Sequence, residues 1–155
     1  MSQFRALQLA ITLATRQRDA LAQKHAQAQR TLDFARGQMD QLQSYAGETD
    51  ARWMRHGQVS IAPELMHHHY QFMDRLQHAV RLQEGVLANL ERQLQSAHQA
   101  QLQAEVRLAG LERLLQTRRL ALAQRQQRQE QRVTDEFASL RYLQRRTTPQ
   151  TGDIL

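Results

Sequence analysis

The sequence predicts an all-α protein: two long helices forming an antiparallel coiled-coil hairpin. Three observations carry this. Apolar residues keep a heptad phase over some eight heptads in each half, the helix breakers cluster at one internal place, and the composition is that of long helices. Aromatic residues are 5% of the 155, with six Gly, two Pro and no Cys. Ala, Leu, Gln, Arg and Glu make up the bulk, as expected of helices that bury a narrow apolar seam rather than a broad core.

In the first helix, expected over about residues 3–55, the a positions are Phe4, Ile11, Arg18, His25, Leu32, Met39, Ala46 and Trp53. The d positions are Leu7, Ala14, Leu21, Ala28, Ala35, Leu42 and Thr49. A seam that recurs every 3.5 residues faces one partner helix continuously. Gly57, Ser60 and Pro63 then mark a turn at about residues 56–62, with Pro63 and Glu64 suited to the first turn of a new helix.

The second helix is expected over about residues 63–145. Its a positions are Met66, Met73, Val80, Leu87, Leu94, Gln101, Leu108, Leu115 and Leu122. Its d positions are His69, Leu76, Gln83, Leu90, Ala97, Ala104, Leu111 and Arg118. Residues 66–122 alone would span roughly 85 Å. Past Leu122, Val133, Phe137 and Leu140 keep helical spacing in a new phase, and Pro149 and Gly152 mark a flexible tail over residues 147–155. Residues 1–146 thus read as a single hairpin domain, because so short a turn forces antiparallel neighbours.

Antiparallel pairing opposes a to d, so opposed residue numbers total about 115 or about 122. The second register pairs large with small: Ala14 with Leu108, Ala28 with Leu94, Ala35 with Leu87 and Ala46 with Leu76. It also sets Arg18 and His25 against Ala104 and Ala97, where long side chains can reach water, whereas the first crowds His25 against Leu90. The register near 122 is therefore preferred. It places Phe4 opposite Arg118 and leaves the later turns of the second helix extending beyond the first.

The flanks of the seam differ. The e side of the second helix is polar, with Gln77, Glu84, Glu91, His98, Glu105 and Glu112, and Arg36 is expected near Glu84 as a surface pair. The g side near the turn is apolar instead, with Tyr45 on the first helix and Leu65, Phe72, Ala79 and Val86 on the second. Tyr45 and Phe72 should lie within reach of one another. Beside the seam residues Leu42 and Leu76, they form a strip that two helices do not cover by themselves, the usual mark of a partner site. The competing reading is cover by a third segment, the loop carrying Trp53 and Ile61.

Charge is as uneven as hydropathy. Residues 1–112 hold 12 basic and 11 acidic side chains, whereas residues 113–146 hold nine Arg against Glu130, Asp135 and Glu136. That segment alone accounts for the net charge of +6. It points to an acidic partner for one part of the molecule.

Chemistry finds little footing. Without Cys there are no disulfides or thiolate zinc sites. Consecutive residues of a helix point about 100° apart, so His67, His68 and His69 do not converge on a metal, and solvated imidazoles in a first helical turn are expected; His56 is the one nearby addition. No phosphate-binding glycine loop, nucleophile elbow or pocket with paired carboxylates occurs, so neither catalysis, a cofactor nor a small-molecule substrate is expected. Nucleic acid is disfavoured because Lys24 is the sole Lys and no aromatics interleave with the Arg residues from Arg113 to Arg132. A basic-region zipper would carry its basic arm at the N-terminal side of a parallel seam. Neither a signal peptide nor a membrane-spanning run is visible, which leads to the expectation of a soluble cytoplasmic protein.

Several short segments together resemble the flagellar FliJ family, the small coiled-coil component of the bacterial flagellar type III export apparatus. They are Tyr45, Ala46, Gly47 and Trp53 at the end of the first helix, then Tyr70, Gln71 and Phe72 opening the second. Leu76, Ala79, Val80 and Gln83 follow, with Asp135, Glu136, Phe137 and Ala138 near the C-terminal side. The resemblance covers most of the chain.

It implies a non-enzymatic stalk, similar to the central stalk of rotary ATPases, that inserts into the hexameric export ATPase and promotes its assembly and activity. It further implies contact with the cytoplasmic linker region of the export gate protein, an association with recycling of export chaperones, and a place at the base of the flagellum, peripheral to the inner membrane. The gate contact would fall on Gln38, Leu42, Tyr45, Phe72, Leu76 and Ala79, with Thr49 and Gln83 standing where an aromatic and a His are expected. The ATPase contact is assigned to Arg113, Arg118, Arg119, Arg125, Arg128 and Arg132, within the basic segment. The alternatives are the homologous stalk of virulence-type secretion systems, set apart only by the Phe72 and Asp135 motifs, and a nucleic-acid-binding or purely structural scaffold coiled coil.

Overall fold

The computed structural model describes residues 2–56 and 62–147. It contains two helices, α1 (Ser2–His56) and α2 (Pro63–Thr147), and no strand among the described residues. The expected turn centre, with Gly57, Ser60 and Ile61, and the expected tail, with Pro149 and Gly152, lie outside the described residues.

The entry to α2 follows from local chemistry. The Ala62 carbonyl accepts from the backbone N–H groups of Leu65 and Met66 at 3.0 and 3.2 Å, which makes Ala62 the cap and Pro63 the first helical residue. Proline is suited to that place because its missing N–H would find no intrahelical partner there and its φ is already helical. Glu64 in this first turn, and Arg55 and His56 in the last turn of α1, oppose the partial charges of the helix ends. The segment Tyr45–Trp53 is regular helix, as the expected span of the first helix to about residue 55 requires. Gly47 costs about 1 kcal/mol there relative to Ala, and the half-buried Ala46, Thr49 and Trp53 hold the helix through it.

The chain divides into two compact units. In the unit Thr12–Leu108, facing stretches of α1 and α2 bury Ala14, Leu32, Ala35 and Met39 on one side and Leu76, Ala104 and Leu108 on the other. Every expected seam residue of α1 in this unit is buried or half-buried. On α2 the seam holds likewise from His69 to Leu108, and only Met66 is exposed, at 38%. Leu32 is fully enclosed, the best-protected side chain of the seam.

Two ring contacts set the register. His25 lies against His98 with ring centroids 5.3 Å apart, and Trp53 stacks on His69. The numbers of these opposed pairs total 123 and 122, as the large-to-small pairing requires. A total near 115 would have set His25 against Leu90. Gln83 adds a polar tie, its side-chain amide donating to the Ala35 carbonyl at 3.0 Å across the seam. Arg36 does not reach Glu84; it bridges Asp33 at 3.9 Å and Glu91 at 3.6 Å. All three side chains are more than half exposed, so the bridges contribute little.

The other unit comprises Met1–Ile11 and Ala109–Leu155. Leu7 is buried, and Phe4, Ile11, Leu111 and Leu115 are half-buried. Beyond Leu115 every described residue of α2 is exposed, including the expected seam residues Arg118 and Leu122. The reason is geometric. Ser2 starts α1 level with about residue 120 in this register, so no described part of α1 lies over the later turns. Val133, Phe137 and Leu140 accordingly stand about 60% exposed on one face, with the Arg141 guanidinium 5.2 Å above the Phe137 ring.

Candidate functional site

Two surfaces merit attention, one in each unit. In the unit Thr12–Leu108, Tyr45 of α1 meets Phe72 of α2 edge to face, with ring centroids 5.9 Å apart. The pair is held by the seam beneath it, where Leu76 is buried and Leu42 half-buried, and Ala79, next to Phe72 in the g row, is half-buried too. Tyr45 remains 53% exposed and Phe72 38%, and Leu65 and Val86 continue the exposed row on α2. Gln38 borders the strip and accepts from the Gln83 amide at 3.5 Å, at the limit of a hydrogen bond.

Of the six residues expected at the gate contact, Tyr45, Phe72 and Gln38 present surface. Leu42 and Ala79 are partly covered, and Leu76 is core. Leu65 and Val86 are exposed members of the same row that the six omit; their g position in the heptad was the available signal. Trp53 does not cover the strip from a loop. It belongs to α1, stacked on His69, while Ile61 lies outside the described residues. His69 is therefore a half-buried stacking partner rather than a solvated imidazole, whereas His67 and His68 are exposed and His67 shares a hydrogen bond of 3.2 Å with Gln71. Among the described residues, no three His or carboxylate side chains converge as a metal site would need.

The second surface belongs to the unit of Met1–Ile11 and Ala109–Leu155. All six arginines expected at the ATPase contact are exposed. Arg118, Arg125 and Arg132 recur every seven residues and share a stripe that drifts only about 20° per repeat. Arg128, three residues after Arg125 and four before Arg132, borders that stripe, whereas Arg113 and Arg119 point elsewhere around the helix, since each residue turns it by about 100°. Arg118 and Arg125 are drawn together with Phe4 and Leu122 around one cleft. That combination was not anticipated, although Phe4 had been set opposite Arg118.

One surface offers an aromatic pair on an apolar row, the other a column of guanidinium groups. Comparison with known families gives a match to the model described as "Flagellar FliJ protein" over residues 3–147, spanning both helices. The chain belongs to the FliJ family. No curated protein and no solved structure matches it. FliJ-family membership makes the chain a component of the flagellar protein export apparatus, in a family that is structural and non-catalytic. No helix among the described residues is long and apolar enough to cross a membrane.

Proposed function

We propose that this FliJ-family chain is a stalk that engages two partners within the export apparatus. The arginine-rich segment of α2, with Arg113, Arg118, Arg119, Arg125, Arg128 and Arg132, binds the hexameric export ATPase and promotes its assembly and turnover. The strip of Gln38, Leu42, Tyr45, Phe72, Leu76 and Ala79 binds the cytoplasmic linker region of the export gate protein. In this reading the protein works in the cytoplasm, peripheral to the inner membrane at the base of the flagellum, and also takes part in recycling export chaperones.

The observation that carries the reading is the family match over residues 3–147, because it takes in both the arginine segment and the aromatic strip. Two physical features support it. An exposed guanidinium column favours a carboxylate-bearing partner. An aromatic pair half open to water on a rigid two-helix support resembles the anchors on which protein interfaces concentrate their binding energy. The same match favours a flagellar over a virulence-type stalk.

The test is the turnover of the cognate ATPase with the full chain added. Turnover should rise, and the rise should shrink when Arg118, Arg119 and Arg125 are replaced together by Ala. An ATPase rate unchanged at saturating stalk would overturn the proposal. Tight nucleic-acid binding with a steep salt dependence would favour the rival reading instead.

A further inference from the structure

In the unit of Met1–Ile11 and Ala109–Leu155, Gln3 and Phe4 of α1 and Arg118, Ala121, Leu122 and Arg125 of α2 line a cleft of about 380 Å³. Its apolar lining comes from Phe4, which is half-buried, and from Leu122 and Ala121. Two guanidinium groups flank that lining. Neither forms an ion pair among the described residues.

The sequence around them explains why. Charges on a helix are neutralised three or four residues away. Those places hold Leu114, Leu115, Ala121 and Leu122 for Arg118, and Ala121, Leu122, Arg128 and Gln129 for Arg125. The facing residues 2–11 contribute Arg5 and no carboxylate. The cleft is thus a pair of unanswered cations beside an apolar surface, and both features are left unsatisfied together.

We propose that this cleft receives a helical segment of a partner protein that carries one bulky apolar side chain flanked by two carboxylates. Arg118 and Arg125 stand one heptad apart, about 10.5 Å along the axis. A partner helix with carboxylates at i and i+7 and Leu, Ile or Phe at i+3 or i+4 matches that spacing. Guanidinium forks take carboxylates two bonds at a time, and the excluded water around the apolar contact strengthens both pairs. A nucleic acid would use the charges but leave Phe4 and Leu122 unemployed, because strand binding relies on several interleaved aromatic platforms. The inference rests on the reading that the arginine segment binds the export ATPase in so far as it names the chemistry that partner must present.

The test uses the full chain and a labelled, Ala-rich 18-residue peptide with Glu at i and i+7 and Leu at i+4, followed by fluorescence anisotropy. Binding is expected in the sub-millimolar range. It should weaken at least tenfold with R118Q/R125Q, with Phe4→Ala, and with a peptide whose Glu residues are Gln. Leu122→Ser, at a position 41% exposed, gives the apolar test without disturbing the fold should Phe4→Ala loosen α1.

Absence of binding to the unaltered chain at millimolar peptide overturns the inference. So does equal binding by the Phe4 and Leu122 variants, or equal affinity for an oligonucleotide of similar charge; these outcomes mark a bare cationic patch that takes any polyanion. The cognate ATPase is measured alongside. Peptide binding without ATPase binding removes the ATPase reading and leaves the cleft standing. ATPase binding undiminished by the cleft variants leaves the ATPase reading standing and overturns the cleft as its receptor.

Discussion

Trp53 and His69 lie face to face, their ring centroids 4.0 Å apart and their planes 3° from parallel. The stack ties the last turns of α1 to the first turns of α2, beside the segment where the chain reverses. An aromatic pair of this kind adds about 0.5–1.5 kcal/mol beyond the area it buries. Because Trp53 is the sole Trp, the stack can be followed by its fluorescence. His69→Ala should shift the emission to the red and lower stability by about 1 kcal/mol. His67→Ala and His68→Ala, at exposed positions, should leave the emission where it is. An unmoved spectrum in His69→Ala would mean that the stack is not populated in solution.

The register is open to a chemical test because the chain has no Cys of its own. Cysteines placed at Ala28 and Leu94, both half-buried at opposed seam positions, should oxidise to a disulfide readily. The pair at Ala28 and Leu87 should not, since a shift of one heptad separates them by roughly 10 Å along the axis. Efficient crosslinking of the second pair would point to the competing register.

Among the described residues, Leu32 is the one large side chain that the two helices enclose completely. Leu32→Ala should therefore cost about 2–5 kcal/mol, read as a drop in the thermal midpoint by circular dichroism. Phe34→Ala, two residues away at 70% exposure, should stay within about 0.5 kcal/mol. Comparable losses at the two positions would contradict the seam.

For the gate contact the informative pair of substitutions is Tyr45→Ala with Phe72→Ala. Leu76 belongs to the same strip but is only 8% exposed, so Leu76→Ala would weaken the helix pair and confuse binding with folding. The aromatic double variant should keep its helicity while affinity for the gate's linker region falls tenfold or more, about 1.4 kcal/mol. Retained affinity would place the contact elsewhere.

Much of this architecture was legible in the residues themselves. A heptad phase is a one-dimensional pattern, and a helix converts it into a face by its own geometry, without help from distant residues. The a and d residues from Leu7 to Trp53 and from His69 to Leu115 are accordingly buried or half-buried. The apolar g row was visible for the same reason, as was the arginine segment. Heptad position could not say how far the seam remains covered. Leu122 and Arg118 occupy seam positions and yet are exposed, because burial depends on where the facing helix starts. Nor could it choose the partner of a long polar side chain: Arg36 reaches Glu91 rather than Glu84, several rotamers being open to it.

The sequence by itself determined the two helices, the faces they pair and the family resemblance, since each rests on local periodicity or on short segments in order. The tertiary structure alone decided that Trp53 stacks on His69, that Leu76 is core while Tyr45 and Phe72 stay open, and that Phe4 and Leu122 share a cleft with Arg118 and Arg125. Those relations join residues that are 16 to more than 100 positions apart. Only the register and packing of one helix on the other bring such residues within contact distance.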